Sequence, residues 1–222
     1  MELLGSINSW EIARNGSDSR IWKEDGSGIF SVKSFFETIA RSEEDIIFEP
    51  CNMIWKTGIP TKVRVLAWQA ALRKVNTSDL LQVRRPFQQL SPSWCVMCKS
   101  SNESLGHLLI HCPFVYSIWS NFRREFNLIS VFPVSWFDLL IVKWYLIGDK
   151  KKSKVLWRCI CMAVLWCVWK ERNARIFEDK EENEEKVWLR VKSLASLWAF
   201  SSKKFGILSM SDILRDWVAA MA

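Results

Sequence analysis

The chain is poor in the residues on which most enzyme active sites depend. Its 222 residues include only two histidines, and its aspartates are scattered and never adjacent. Polymerases and nucleases that use two metal ions need carboxylates held close together, and a serine or cysteine nucleophile needs an imidazole base. A glycine-rich phosphate loop is also missing, because the run Asp25-Gly26-Ser27-Gly28 is typical of a hairpin turn. We therefore predict that the chain is not an enzyme.

The sequence also lacks the marks of a secreted or membrane-spanning chain. Residues 1–5 have neither a basic start nor an apolar stretch, and the seven cysteines are an odd number that does not suit a disulfide framework. One unbroken apolar run, Cys159–Trp169, is bracketed by charges and is shorter than the about 20 residues that a spanning helix needs. We expect an intracellular protein, nuclear or cytoplasmic, in which this run forms a buried core helix and makes no membrane contact.

Apolar and basic residues are plentiful. Hydrophobic residues make up 49% of the chain, and 14 tryptophans stand against two tyrosines, which predicts a sizeable core that contains most of the tryptophans. Lysine and arginine exceed aspartate and glutamate by 31 to 24, a net charge of +7. An excess of positive charge suits an anionic partner such as nucleic acid.

Four side chains with the chemistry of zinc ligands lie within residues 95–112. The pattern is Cys-x2-Cys-x8-His-x4-Cys, formed by Cys95, Cys98, His107 and Cys112. Two cysteines three apart can present both thiolates to one ion from a tight turn, and a histidine and a third cysteine can complete a closed tetrahedral shell. A closed shell leaves no position for a substrate, so we predict a structural Zn²⁺ site.

The fourth ligand has a rival in His111, which lies four residues after His107 on the same helix face. On a regular helix His107 and Cys112 would point about 140° apart. Pro113 favours Cys112 nevertheless, because a residue before proline is pushed out of the helical region. Glu103, one turn before His107, is a candidate acceptor for the second ring nitrogen of that histidine.

The fold class that we predict is mainly α, with a small N-terminal β-hairpin and a zinc-stapled loop-helix segment. The hairpin pairs residues 20–24 with residues 28–32, and Ser31 or Ser34 caps the helix that follows. Helical periodicity then places further helices at residues 60–74, 77–83, 102–111, 114–126, 136–146, 154–177 and 181–205. We divide the chain into an N-terminal tail (1–18), a zinc-binding helical domain with the hairpin (19–130) and a C-terminal helical region (133–222).

The order of these features is similar to that of a known family. The residues concerned are Trp22, Asp25, Gly26, Gly28, Phe30 to Ser34, Ile54 to Lys56, Pro60 to Val63, Trp68, Thr77 to Leu81, Cys95, Cys98, Glu103, His107, Leu108, Cys112, Pro113 and Trp119. They resemble the zinc-binding region that follows the reverse transcriptase in plant non-LTR retroelements, the reverse transcriptase zinc-binding domain family. The segment from Trp169 to Phe177 is similar to the helical segment that often comes after it.

The resemblance implies that Cys95, Cys98, His107 and Cys112 bind zinc and that the chain derives from a retrotransposon polyprotein. Its members are usually named for a polymerase or a ribonuclease H domain, and this sequence has no adjacent aspartates of the polymerase kind. The implied function is therefore binding and not catalysis.

Two functional hypotheses follow from the sequence. The first is a nucleic-acid-binding module, with RNA favoured over DNA, in which basic groups contact phosphates and an aromatic ring stacks on a base. The candidate contacts are Lys62, Arg64, Arg73, Lys74, Arg84, Arg85, Trp94 and Lys99. The second is a structural or protein-interaction fragment without independent activity, whose protein partner binds the apolar C-terminal helices.

Overall fold

The computed structural model describes residues 21–23, 26–32, 34, 54–55, 58–85, 94–128, 135–136, 138–139, 151–206 and 208–221. The chain divides into two compact units, Met1–Ile46 and Ile47–Ala222. The described part of the second unit contains the α-helices α1 (Thr61–Ala71), α2 (Ser78–Arg84), α3 (Pro113–Glu125), α4 (Lys151–Phe177), α5 (Glu184–Phe200), α6 (Met210–Arg215) and α7 (Trp217–Met221). A π-helix spans His107–His111 and a 3-10 turn spans Lys203–Phe205. The mainly helical prediction is confirmed for these residues.

The described part of the first unit is short and contains a turn. The Trp22 backbone N–H donates to the Gly28 carbonyl at 2.8 Å, and the Trp22 and Phe30 rings meet edge to face at 5.1 Å. Gly28 has a φ of +69°, which explains a glycine at this position. The Ser31 hydroxyl accepts a hydrogen bond from the Ser34 N–H at 3.0 Å, as a helix cap does. Because no strand is found among the described residues here, the β-hairpin is not confirmed.

Two predicted helices lie wholly or mostly outside the described residues. The helix after Ser34 falls in the undescribed range 35–53, and only three positions of the helix predicted at 136–146 are described, namely 136, 138 and 139. In that range Trp136 and Leu139 are buried.

Helix α4 is the centre of the second unit because its middle is apolar on every side. Every residue from Cys159 to Leu165 is buried, and α4 packs along α5 and also contacts α1, the π-helix and the 3-10 turn. A helix that is hydrophobic all round is stable in water only when neighbours cover each face. The predicted core helix is thus confirmed, and no helix in the described ranges is long and apolar enough to cross a membrane.

Helix α5 begins and ends inside the predicted range 181–205. The Asn183 side chain accepts from the Lys186 N–H and fixes the start, so Glu184 and Glu185 lie in the first turn where they complement the helix dipole. After Phe200 the chain tightens into the 3-10 turn. Helix α6 was not predicted, although its capping box between Ser209 and Asp212 is a recognisable sequence signal.

Tryptophan and phenylalanine rings join α3, α4 and the C-terminal helices. Trp119 lies 6.3 Å from Trp157, Phe122 lies 5.4 Å from Trp157, and Phe126 stacks on Trp217 at 6.0 Å. Trp119, Trp157 and Trp217 are fully buried. The C-terminal helices α6 and α7, which follow the 3-10 turn, are thereby part of the same core as the segment after the cysteines.

Candidate metal centre

The thiols of Cys95, Cys98 and Cys112 and the imidazole of His107 converge on one point. Their ligating atoms all lie within 4.8 Å of one another. The Cys95 Sγ to Cys112 Sγ distance is 3.9 Å, and the Cys98 Sγ to His107 Nε2 distance is 3.3 Å. A tetrahedral ion with zinc–sulfur bonds of about 2.3 Å separates its sulfur ligands by about 3.8 Å. The donor set and its spacing therefore fit Zn²⁺, and these four residues form the zinc site.

A tight turn presents the first two ligands. The Cys95 N–H donates to the Ser101 carbonyl at 2.7 Å, and the Lys99 N–H donates back to the Cys95 carbonyl at 2.8 Å. Trp94 and Asn102 form an isolated antiparallel bridge at the base of the turn, and Lys99 takes a positive φ of 56° to reverse the chain. The two residues between Cys95 and Cys98 are thus part of a tight turn that places both thiols on the same side of the chain.

The π-helix brings the other two ligands together. The Cys112 N–H donates to the His107 carbonyl at 2.7 Å, which is the i+5 to i hydrogen bond of a π-helix. A π-helical turn is wider than an α-helical one, so the angle between the His107 and Cys112 side chains is smaller than on a regular α-helix. Cys112 itself is extended, with φ −61° and ψ 127°, and Pro113 begins α3. The predicted departure of Cys112 from the helix before Pro113 is confirmed, whereas the π geometry was not foreseen.

The rival ligand His111 lies at the last position of the π-helix, is exposed, and is not among the four converging residues. The role predicted for Glu103 is wrong. Its carboxylate accepts hydrogen bonds from the Ser78 N–H at 2.9 Å, the Ser78 hydroxyl at 3.0 Å and the Arg172 guanidinium at 2.7 Å. Glu103 is 1% exposed, so burial forces its charge to pair with the nearest cation and not with His107.

Hydrogen bonding between the thiols prepares the site for a metal ion. The Cys95 and Cys112 thiols are within hydrogen-bonding distance, and this contact lowers the pKa of the Cys95 thiol to about 6 and raises the pKa of Cys112. For Cys98, burial would raise the pKa, but hydrogen bonds from Ser100 and His107 outweigh it and the pKa is lowered. Thiolates are the form that binds zinc, so the geometry already favours it at two of the three sulfurs.

The cysteines of α4 behave in the opposite way. Burial raises the pKa of Cys159 and of Cys167 to about 12, and that of Cys161 also rises. Thiols that stay protonated in an apolar core are poor nucleophiles.

We expect these three thiols to resist a thiol-modifying reagent in the zinc-loaded protein at pH 8 and to react after unfolding. Mass spectrometry of peptides from native and denatured samples measures the difference. Modification of Cys161 in the native protein as fast as in the denatured one would contradict the burial that we describe.

The basic residues predicted to contact nucleic acid occupy different surroundings. Arg73, Lys74, Arg84 and Arg85 are exposed where α1 and α2 end, and Arg84 hydrogen-bonds Asn76 in the connection between the two helices. These four arginines and lysines are called the basic edge below.

The remaining candidates lie elsewhere on the surface. Lys62 lies over the Trp166 ring at 5.2 Å, and Arg64 lies over the Trp55 ring at 5.5 Å. Lys99 forms an ion pair with Glu181 at 2.8 Å. Trp94, beside the metal ligands, is 58% exposed.

Sequence reasoning missed the charged residues of α4 that contact the zinc segment. Arg172 pairs with Glu103, and Arg175 pairs with Glu171 at 2.8 Å, all with side chains almost completely buried. Charged residues directly after the apolar part of a helix are a sequence signal for buried ion pairs. A buried charge without a partner costs free energy, so each such residue is expected to have an oppositely charged partner.

Comparison with known proteins agrees with this geometry. The family described as "zinc-binding in reverse transcriptase" matches residues 30–119. A relative in Arabidopsis thaliana, named "Putative ribonuclease H protein", is 26% identical over 181 residues, which are 80% of this chain and 28% of the relative. The chain thus spans little more than a quarter of that protein. No solved structure matches the chain significantly.

The converging Cys3His ligands and the family match cover the same segment, and the match identifies no catalytic domain. Residues 30–119 accordingly match the family of zinc-binding domains in reverse transcriptases, in agreement with the resemblance seen in the sequence.

Proposed function

We propose that this protein is a non-catalytic, retroelement-derived module in which the zinc centre stabilises a nucleic-acid-binding surface. Residues 19–130 carry the zinc-binding part and residues 133–222 form a helical support. The observation that carries the proposal is the basic edge, where cationic side chains are exposed at the junction of two helices.

The local charge balance supports this role for the basic edge. Asp79 is the nearby carboxylate of α2, and it accepts hydrogen bonds from the Thr77 hydroxyl and the Leu80 N–H, so its charge is directed to the start of the helix. Lys180, Arg190 and Arg215 each form an ion pair with an acidic residue of the same region, whereas no ion pair of Arg73, Lys74 or Arg84 is found among the described residues. Exposed cations that are not paired with a carboxylate release counterions when they bind phosphates.

RNA is the nucleic acid that we favour. Trp94 exposes an indole ring beside the cysteine turn, and exposed aromatic rings stack on unpaired bases, which are the usual target of sequence-reading RNA-binding proteins. The protein would act in the nucleus or the cytoplasm, where such RNA is found.

Neutralisation of the basic edge tests the proposal. We expect Arg73→Asn/Lys74→Ser/Arg84→Ser to bind single-stranded RNA more weakly and to lower the slope of log affinity against log salt by about 2, since each lost phosphate contact removes about 0.7. Asparagine is chosen at position 73 because Arg73 has a φ of 52°. Fluorescence anisotropy at several salt concentrations gives both quantities.

The matched control is Lys180→Ser/Arg190→Ser/Arg215→Ser, which removes the same charge from ion-paired positions and should leave the slope within about half a unit of wild type. Equal losses in the two variants would show that net charge alone drives binding. Absence of binding by the wild-type protein at low salt would refute the nucleic-acid function.

The second candidate is a protein-interaction fragment, and one face of α5 favours it. Leu189, Leu197 and Phe200 are 62%, 42% and 43% exposed and lie at helical spacing on the same side. Apolar side chains in such a row are typical of a contact surface. If the wild-type chain fails to bind RNA but self-associates or binds a protein in a manner that Leu197→Glu abolishes, this second function is the correct one.

A further inference from the structure

The side chain of Arg175 links the cysteine turn to the α4–α5 connection. It is 5% exposed, although it lies near the end of α4. One terminal nitrogen donates to the Met97 carbonyl at 3.2 Å, and the other donates to the Glu182 carbonyl at 2.9 Å. Met97 lies between Cys95 and Cys98, so a single guanidinium binds the turn that presents two zinc ligands.

The charge of this guanidinium is balanced within the same contact set. Its Nε donates to the Glu171 carboxylate at 2.8 Å, and the same carboxylate oxygen accepts from the Glu182 N–H at 2.8 Å. Glu171 is 2% exposed. The ion pair and the backbone hydrogen bonds thus form one closed network, which holds the end of α4 and the start of the connection to α5 in one position.

Arg175 also contacts the other side of the metal centre. Its guanidinium lies 4.6 Å from the centre of the Phe114 ring, and Phe114 follows Pro113 and Cys112 in the chain. A second ion pair one turn earlier, between Arg172 and Glu103, joins α4 to the residues just before His107. Arg175 therefore contacts the chain on both sides of the metal centre, at the cysteine turn and at the start of α3, whereas the Arg172–Glu103 pair contacts neither of these segments.

We propose that Arg175 is a positioning residue of the zinc centre, and that the metal-binding unit extends beyond residues 30–119 to at least Glu182. The hydrogen bond from Arg175 to the Met97 carbonyl holds the cysteine turn in the conformation that binds the ion. Less free energy is therefore spent on ordering the turn when zinc binds. Groups that orient metal ligands in this way typically change metal affinity by about 10- to 100-fold. Because such coupling is reciprocal, bound zinc should in turn protect the α4–α5 connection.

The test variant is Glu171→Gln/Arg175→Met in the full-length protein. This double substitution removes the guanidinium without leaving a buried carboxylate unpaired, and glutamine can still accept from the Glu182 N–H. We expect zinc affinity, measured by competition with a chromophoric chelator, to fall by about tenfold or more. We also expect the visible absorption of the Co²⁺-loaded variant to shift, because that spectrum reports the geometry of the ligands and not overall stability.

The matched control is Glu103→Gln/Arg172→Met, which removes an equally buried ion pair from the same helix but does not contact the cysteine turn. We expect its Co²⁺ spectrum to match wild type and its zinc affinity to fall by less than threefold, a margin set well below the about tenfold change of the test variant. Equal loss of affinity in both variants, or an unchanged affinity in the test variant, would overturn the proposal.

If the test variant does not fold, Arg175→Lys provides the test. Lysine keeps the ion pair with Glu171 but cannot reach all three acceptors of the arginine at the same time. Unchanged zinc affinity in Arg175→Lys would refute the role of Arg175.

Discussion

Cys95→Ser is expected to abolish stoichiometric zinc binding and to unfold the chain around residues 94–112. Cys95 is completely buried and its Sγ lies 3.9 Å from that of Cys112, so its loss removes one of the four converging ligands from the centre of the site. Structural zinc sites contribute apparent binding free energies of about 10 kcal/mol or more to local folding. Metal analysis of the purified protein and hydrogen exchange across this segment measure the two effects.

His111→Ala provides the control for this experiment. It removes the only other histidine of the chain, which is exposed and outside the cluster of ligands, so zinc content and exchange protection should remain those of wild type. Retention of one zinc per chain by Cys95→Ser, or loss of zinc from His111→Ala, would show that the ligand set is different from the one described here.

Arg172→Met is expected to destabilise the protein by about 3–5 kcal/mol, because it leaves a buried carboxylate without its counter-ion. Glu103 would retain only the hydrogen bonds from Ser78 at the start of α2. A loss of this size is a large fraction of the total stability of a domain, which is about 5–15 kcal/mol. Urea unfolding of the zinc-loaded protein gives the change in the free energy of unfolding.

Removal of both charges should be much less harmful than removal of one. In Glu103→Gln/Arg172→Met no ion remains to be desolvated, and the amide can still accept from the Ser78 N–H, so we expect most of the lost stability to return. A double variant as unstable as Arg172→Met would mean that packing of the arginine side chain, and not its charge, holds the helices together. The comparison therefore separates the two contributions.

The zinc ligands could be predicted because the information lies within a short segment. Spacing of Cys95 and Cys98 restricts the turn between them, and Pro113 restricts the backbone of Cys112 whatever the rest of the fold does. The partner of Glu103 could not be predicted in the same way. His107 is the nearest possible partner of Glu103 along the chain. The actual partner, Arg172, is distant in sequence and contacts Glu103 only when α4 packs against the zinc segment.

Helix positions show the same contrast. The apolar faces of α1 and α3 follow from helical periodicity, and the buried residues of α1, which are Val63, Leu66, Ala67 and Ala70, repeat at helical spacing in the sequence. Helix ends depended on hydrogen bonds from single side chains, such as the Asn183 cap that starts α5 three residues later than periodicity suggests. The hairpin predicted near the N-terminus stays a prediction.

By itself, the sequence determined three of the metal ligands and two candidates for the fourth, the helical character of the described chain and the resemblance to the zinc-binding domain of reverse transcriptases. These depend on local spacing and on the side-chain chemistry of cysteine, histidine and proline, which act over a few residues. Only the tertiary structure decided which charges are buried in pairs and which cations remain exposed at the basic edge. Burial and pairing depend on contacts between distant segments, and the energy of a charge is set by its surroundings and not by its neighbours in sequence.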